Sequence, residues 1–89
     1  MIFEYPAIFS EDPEDPGWIN VSFPDIDAGV TCGTDMDNAI FMAKDLLHLM
    51  LTTAPKQCHG PTPLDDLRKE FPDANIIMIE VEVDEVVAC

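Results

Sequence analysis

The fold is decided by the stretch VTCGTDMDNAIFMAKDLLHLMLT at residues 30–52, where the spacing of apolar side chains changes from two residues to 3.6. We predict a short strand at residues 30–33 and a helix at residues 34–52. Apolar residues in the helix recur at i, i+3, i+4 and i+7, the pattern of one core-facing side. They are Met36, Ala39, Ile40, Ala43, Leu46, Leu47 and Met50. Either Thr34 or Asp35 can cap the helix, and Asp37 stands at capping-box distance from Thr34.

Two strands precede this stretch, separated by a loop of acids and turn-forming residues. Residues 2–9 and 18–23 are rich in aromatic and β-branched types and alternate with a period of two. The loop at residues 10–17 contains no apolar side chain and indicates a hairpin. Ala28-Gly29 permits a tight turn before the third strand. The face that we assign to the core in the first strand consists of Phe3, Tyr5, Ala7 and Phe9.

A short helix and a last strand follow the long helix. Pro55 ends the long helix, and Pro63 is placed in the first turn of a short helix that runs through Glu70. The order β-β-β-α-(short α)-β predicts one α+β domain over residues 1–89, a two-layer sandwich whose last strand returns to the same sheet. The last strand is predicted to carry Ile77, Ile79, Val81 and Val83 on one face and Glu80, Glu82 and Asp84 on the other.

The charge of the chain is strongly one-sided. Its 89 residues include 18 acidic and four basic side chains, which gives a net charge of −14. A hydrophobic fraction of 47% is too high for a disordered acidic tail, so the chain is expected to fold. Binding to nucleic acid or to an anionic membrane needs clustered Lys and Arg, so we expect neither partner. The partner that this charge favours is a basic one.

The cysteines and the N-terminal residues favour a cytoplasmic protein. Cys32, Cys58 and Cys89 are odd in number and widely spaced, unlike the cysteines of a disulfide-stapled secreted domain. Residues 1–6 have neither the basic segment nor the apolar run of a signal peptide. The longest nearly apolar stretch, residues 46–51, is too short to span a bilayer.

Several short segments occur in an order that is shared with a known family. They are Tyr5-Pro6-Ala7-Ile8-Phe9, residues 19–26 (INVSFPDI), Val30-Thr31-Cys32-Gly33, Asp37-Asn38-Ala39-Ile40, Ala43-Lys44-Asp45-Leu46-Leu47, Pro63-Leu64-Asp65-Asp66-Leu67 and Glu70-Phe71-Pro72-Asp73-Ala74. Followed by the last strand, this succession resembles the N-terminal, toxin-neutralising domain of HicB-type antitoxins. The resemblance covers nearly the whole chain, and none of its motifs is catalytic.

The resemblance implies a non-catalytic protein that binds and inhibits a small basic RNA-cleaving toxin, HicA-like, without any cofactor. It also implies a degenerate ribonuclease-H-like sheet in which the last strand lies parallel beside the first. Relatives usually carry a C-terminal DNA-binding segment, and this chain stops at Cys89, so we expect no DNA binding from the chain alone. Pro6 cannot donate to a strand ladder, so we expect it at a bulge or at the unpaired start of its strand.

Two surfaces are candidates for protein binding. Carboxylates of the first surface would occupy the phosphate sites of a basic ribonuclease, and a tryptophan beside them would anchor the contact. The residues of this surface are Glu11, Asp12, Glu14, Asp15, Trp18, Asp25 and Asp27. The second surface is apolar and lies off the core side of the long helix, either as the face of a homodimer or as packing under the short helix. It consists of Phe41, Met42, Leu49 and Leu51.

Metal and catalytic sites are weaker alternatives. A zinc site at Cys58-His59 would need a Cys-x-x-Cys motif or a spaced His pair beside it, and the sequence has neither. A calcium-binding loop would need a Gly at a fixed position and a terminal bidentate Glu, and both are missing. Two-metal nuclease chemistry would require Glu4 to converge with Asp37 or Asp45. No signature places a histidine beside Cys32, which we expect to be a small buried residue. We therefore predict a binding protein and no enzyme, the alternative being a stand-alone regulatory domain that has lost its toxin.

Overall fold

The structure, a computed structural model, describes residues 2–83 as four strands, two α-helices and one 3-10 turn. Asp84, the last acid of the predicted final strand, lies outside the described residues. The predicted α+β two-layer sandwich, with its element order, is confirmed. The elements are β1 (Ile2–Glu11), β2 (Ile19–Ser22), β3 (Val30–Gly33), α1 (Met36–Thr53), the 3-10 turn (Pro55–Gln57), α2 (Leu64–Glu70) and β4 (Asn75–Glu82).

The four strands form one sheet in the order β3-β2-β1-β4, and each neighbouring pair is antiparallel. The last strand therefore returns beside the first, as predicted, but the implied parallel orientation is wrong. Ile2 lies opposite Glu82, and Phe9 lies opposite Asn75. The physical reason is the long connection at residues 54–74, which brings the chain back to the Phe9 end of β1 before β4 begins.

The core lies between the sheet and α1. Alternation in the strands turns one set of side chains toward the helix, and the predicted core faces of β1 and β4 are confirmed. Leu51, which we assigned to an apolar surface, is 3% exposed and belongs to this core. It follows Leu47 by four residues and so lies on the same side of the helix, one turn later. Facing residues of the core include Tyr5, Ala7, Phe9, Ala39, Ala43, Leu47, Ile79 and Val81.

The start of α1 is fixed by two reciprocal hydrogen bonds. The Asp35 carboxylate caps the helix by accepting from the amide of Asn38 at 2.8 Å, and the Asn38 side chain accepts from the amide of Thr34 at 3.0 Å. Asp35 is therefore the cap, and its reciprocal partner is Asn38, not the predicted Asp37. A Cβ atom on Gly33 would lie 2.4 Å from the backbone nitrogen of Ala39, so only glycine lets β3 meet α1 this closely.

Strand β1 is buried on both faces at Tyr5, Pro6 and Ala7. Residues 8–11 pair with β2, whereas residues 2–7 pair with β4 alone. Pro6 thus lies in the half of the strand that has a partner on one side only. Pro6 lies opposite Met78 of β4 in a continuous register, so the expectation of a bulge or an unpaired strand start is wrong. Proline is tolerated here because the β2 ladder does not extend to this residue.

Candidate protein-binding surface

The hairpin loop at residues 12–18 is organised by the Asp12 carboxylate. Its Oδ1 atom accepts from the amides of Glu14 at 2.8 Å and Asp15 at 3.3 Å, and its Oδ2 atom accepts from Asn20 at 3.4 Å. The hydrogen bond from Glu14 is the main reason that the pKa of Asp12 lies below its usual value, with smaller support from Asn20 and Asp15. Asp12 therefore shapes the loop, while its neighbours present their charges to solvent.

Glu11, the last residue of β1, is exposed, as are the loop acids Glu14 and Asp15 and the neighbouring Trp18. The structure brings further acids to the same end of the sheet, because Glu11, Ile19 and Gly33 form one cross-strand row. The β3–α1 junction that follows Gly33 carries Asp35 and Asp37. Sequence reasoning missed this second group, since only the pairing of β2 with β3 places it beside the hairpin loop. We refer to the set as the acidic end: Glu11, Asp12, Glu14, Asp15, Asp35 and Asp37.

Asp25 is the candidate contact that the structure contradicts. It is 9% exposed, and its carboxylate accepts from both the amide and the hydroxyl of Thr62. The backbone carbonyl of Asp25 accepts from the amide of His59 at 2.8 Å. These hydrogen bonds hold His59 and Thr62 against Asp25, a contact that we call the clamp, and they leave the Asp25 carboxylate unavailable to a partner.

Asp27 stays exposed but lies away from the acidic end. Its amide donates to the carbonyl of Gln57 at 2.9 Å, and its Oδ1 atom lies 3.2 Å from His59 Nε2. Residues 23–29 follow the end of β2, whereas the hairpin loop precedes its start. The two acidic loops that we grouped from sequence therefore lie at opposite ends of this strand and do not form one surface.

The clamp also includes Tyr5, whose hydroxyl donates to the carbonyl of His59 at 2.8 Å. Burial raises the pKa of Tyr5, and Cys58 and Asp25 add to the effect. Burial also raises the pKa of Cys58, whose backbone pairs with Ile26 in an isolated antiparallel bridge. Hydrogen bonds thus join three segments that are distant in sequence: β1 at Tyr5, residues 25–26 and residues 58–62.

The outward side of α1 carries two exposed apolar residues. Phe41 is 65% exposed and Leu49 is 51% exposed, with the exposed Asp45 and His48 between them in sequence. Met42 is partly buried beside Phe41. Of the predicted oligomer face, Leu51 is lost to the core and Phe41 and Leu49 remain the main members.

On the sheet face turned away from α1, the edge strand β3 exposes Val30 and Cys32. Val30 is 67% exposed, and Cys32 is also exposed, so the expectation of a buried cysteine is wrong. A four-residue strand carries too little alternation to fix which of its faces is inward. A shallow depression beside these residues is lined by Ser10, Asn20, Val21, Ser22, Val30, Thr31 and Cys32.

The weighed catalytic and metal arrangements do not assemble within residues 2–83. In this range no three His, Cys, Asp or Glu side chains are grouped so that they could hold a metal ion. Glu4 alternates with the core residue Tyr5 and so points away from α1, the helix that carries Asp37 and Asp45. These three carboxylates therefore do not converge.

The acids are not neutralised within the described part of the chain. There, the one close contact between a carboxylate and a basic side chain is that of Asp27 with His59, and no carboxylate is paired with Lys or Arg. Every Lys and Arg lies at or after residue 44, so the hairpin loop and the start of α1 contain none. None of the described helices is both long enough and apolar enough to span a bilayer.

Comparison with known proteins supports the fold. No protein-family model matches the chain, and no curated protein matches it. A solved structure described as "Toxin-Antitoxin complex from Streptococcus pneumoniae" contains a similar chain, with a TM-score of 0.72 and 18% sequence identity. The match covers 100% of this chain and 82% of that chain. The protein therefore shares its fold, over its whole length, with a chain of a toxin–antitoxin complex.

Proposed function

We propose that the protein is an antitoxin-type inhibitory module that neutralises a small basic RNA-cleaving toxin by covering the active surface of that toxin. The observation that carries the proposal is the fold shared with a chain of a toxin–antitoxin complex at a TM-score of 0.72. The ordered segments that resemble HicB-type antitoxins support the same role independently of the structure. On this proposal the module is HicB-like, acts in the cytoplasm on a HicA-like toxin, and has no catalytic activity or cofactor of its own.

The acidic end supports the choice of a basic partner. An RNA-cleaving protein holds phosphates with cationic side chains, and exposed carboxylates can take the place of those phosphates. Glu11, Glu14 and Asp15 are exposed and, like the other acids within residues 2–83, are not paired with Lys or Arg. Trp18 beside them offers the large, partly apolar side chain that anchors many interfaces.

Self-association of the free protein is a second part of the proposal. Phe41 and Leu49 would form the centre of a homodimer contact, with Met42 at its side. Direct contact with nucleic acid is not part of the proposed activity, because no basic cluster occurs in the sequence.

Co-expression tests the function. The toxin candidate is a short basic protein encoded by the neighbouring reading frame, and its expression alone should arrest growth. We expect co-expression of the present protein to restore growth, and the two purified proteins to form a complex. Undiminished growth arrest with both proteins soluble would contradict the proposal.

A pair of matched charge reversals tests the role of the acidic end. Glu14→Lys with Asp15→Lys should weaken the complex and reduce the rescue of growth. Glu80→Lys with Glu82→Lys changes the net charge equally but alters exposed residues of β4, toward the opposite end of the sheet. Equal weakening by both pairs would show that net charge matters and the hairpin loop does not.

A further inference from the structure

We propose that the outer edge of β3 receives an extended segment of the basic partner, which joins the sheet as an additional strand. This inference rests on the proposed function and names the contact through which the partner is held. The strand order β3-β2-β1-β4 makes β3 and β4 the two edges of the sheet within the described residues. An edge strand has unpaired backbone groups that can pair with another chain.

The ladder between β2 and β3 shows which backbone groups face outward. The amide of Phe23 donates to the carbonyl of Gly29 at 2.7 Å, immediately beyond the paired residues Ser22 and Val30. Hydrogen-bonded pairs alternate with non-bonded pairs in an antiparallel ladder. Thr31 and Gly33 therefore bond to β2, whereas the N–H and C=O of Cys32 point away from the sheet.

The two edges differ in how well they are protected. Charged side chains discourage pairing with another chain, and β4 carries the exposed Glu80 and Glu82. Strand β3, Val30-Thr31-Cys32-Gly33, has no charged residue and no proline. An edge strand without charge or proline in a chain with a net charge of −14 is therefore a local exception to the character of the surface.

The side chains beside this edge favour apolar residues in the added segment. Val30 is exposed, and it borders the shallow depression that Cys32 also lines. An added strand would place alternate side chains on this same face of the sheet. Covering Val30 removes apolar surface from water and so favours the complex.

The charge near the edge of β3 favours a basic segment over a second copy of this chain. The Gly33 end of β3 adjoins the acidic end, so Lys or Arg residues near one end of the added segment would meet unneutralised carboxylates. A second copy of this chain would instead bring a further net charge of −14 to the contact. The chemistry therefore points to an extended segment with apolar residues at alternate positions and basic residues at one end.

Replacement of Cys32 tests the edge directly. Cys32→Pro removes the outward N–H without removing a bond to β2, since proline is tolerated on an edge strand whose N–H faces solvent. Cys32→Thr is the matched control, because it removes the thiol but keeps the N–H. The probe is an inactivated form of the toxin identified by the co-expression test. Cys32→Pro should bind it roughly tenfold more weakly than wild type does, the effect of losing one backbone hydrogen bond. Cys32→Thr should bind as wild type does.

Two further measurements keep the inference testable if Cys32→Pro does not fold. Val30→Lys alters a residue that is already exposed, and it replaces the apolar surface that the added segment would cover with a charged side chain, so it should weaken the complex. Hydrogen exchange of the wild-type complex should slow at the amide of Cys32. Unchanged exchange there, or wild-type affinity for both Cys32→Pro and Val30→Lys, would overturn the edge contact while leaving the proposed function intact. If the wild-type protein does not bind the toxin, both the edge contact and the proposed function are overturned. If the free wild-type protein is a dimer and the free Cys32→Pro variant is a monomer, the edge of β3 instead binds a second copy of this chain.

Discussion

At the scale of single residues, the Asp25 carboxylate holds a loop that lies 37 residues further along the chain. Thr62 offers both its amide and its hydroxyl to this one side chain. The carboxylate of the neighbouring Asp27 is exposed and lies beside the exposed side chain of His59. Two acids separated by one residue therefore have different tasks, one internal and one at the surface.

This difference predicts unequal effects on stability. Asp25→Ala leaves two donors of Thr62 without their partner, and it should lower the free energy of unfolding by about 1–3 kcal/mol. Asp27→Ala, at an exposed site, should change it by less than about 0.5 kcal/mol. Urea unfolding of the wild type and both variants measures the two values. Equal effects of the two substitutions would show that the clamp contributes nothing to stability.

Prediction from sequence works least well for such residues. Pro24-Asp25 has the composition of an exposed turn, and nothing near it in sequence reveals Thr62. Asp12 illustrates the opposite case. Its partners Glu14 and Asp15 are local, so the hairpin was recognisable, although its role as the acceptor that shapes the loop was not.

At the scale of elements, α1 combines a fully packed inner side with an unusually apolar outer side. Phe41 and Leu49 are two turns apart on a helix that otherwise exposes charged and polar residues. Exposed apolar side chains of this size favour contact with another protein surface.

Substitution of the exposed pair should shift the association state of the free protein. We expect Phe41→Ser with Leu49→Ser to convert a dimer to a monomer, since the apolar area that the contact buries is lost. His48→Ser, an exposed change on the same helix, serves as the control. Sedimentation velocity measures the association state. A wild-type protein that is monomeric at high concentration would contradict the predicted homodimer.

The elements themselves follow closely from the sequence, and their arrangement follows less well. The apolar spacing that begins at Met36 defines α1 because a core-facing helix repeats its pattern over five turns. Alternation in β4 marks which side chains are inward, but it is identical for a parallel and an antiparallel neighbour. The direction of β4 therefore cannot be read from the residues, and the parallel direction that the family resemblance implies is wrong.

At the scale of the whole molecule, the net charge of −14 acts in opposite directions on the two proposed associations. It attracts a basic toxin and repels a second copy of the same chain. Salt screens both effects, with a Debye length of about 10 Å at 0.1 M ionic strength.

Salt should therefore weaken one complex and strengthen the other. Raising the ionic strength should slow association with the toxin more than it changes dissociation, because charge steers the encounter. The same change should favour the homodimer, because it screens repulsion between like charges. Stopped-flow association and sedimentation across a salt series measure the two trends. An association rate that does not depend on salt would remove charge from the explanation of toxin binding.

The antiparallel pairing of β1 with β4 also determines how the domain responds to mechanical force. Ile2 lies opposite Glu82, so the two ends of the described chain leave the sheet side by side. A force applied between these ends pulls across the ladder and loads one hydrogen-bonded pair at a time, as in the opening of a zipper. A parallel arrangement would have placed the ends far apart and loaded all the pairs together in shear. The observed topology therefore makes this sheet easy to peel open from its chain ends, whatever its resistance to heat or denaturant.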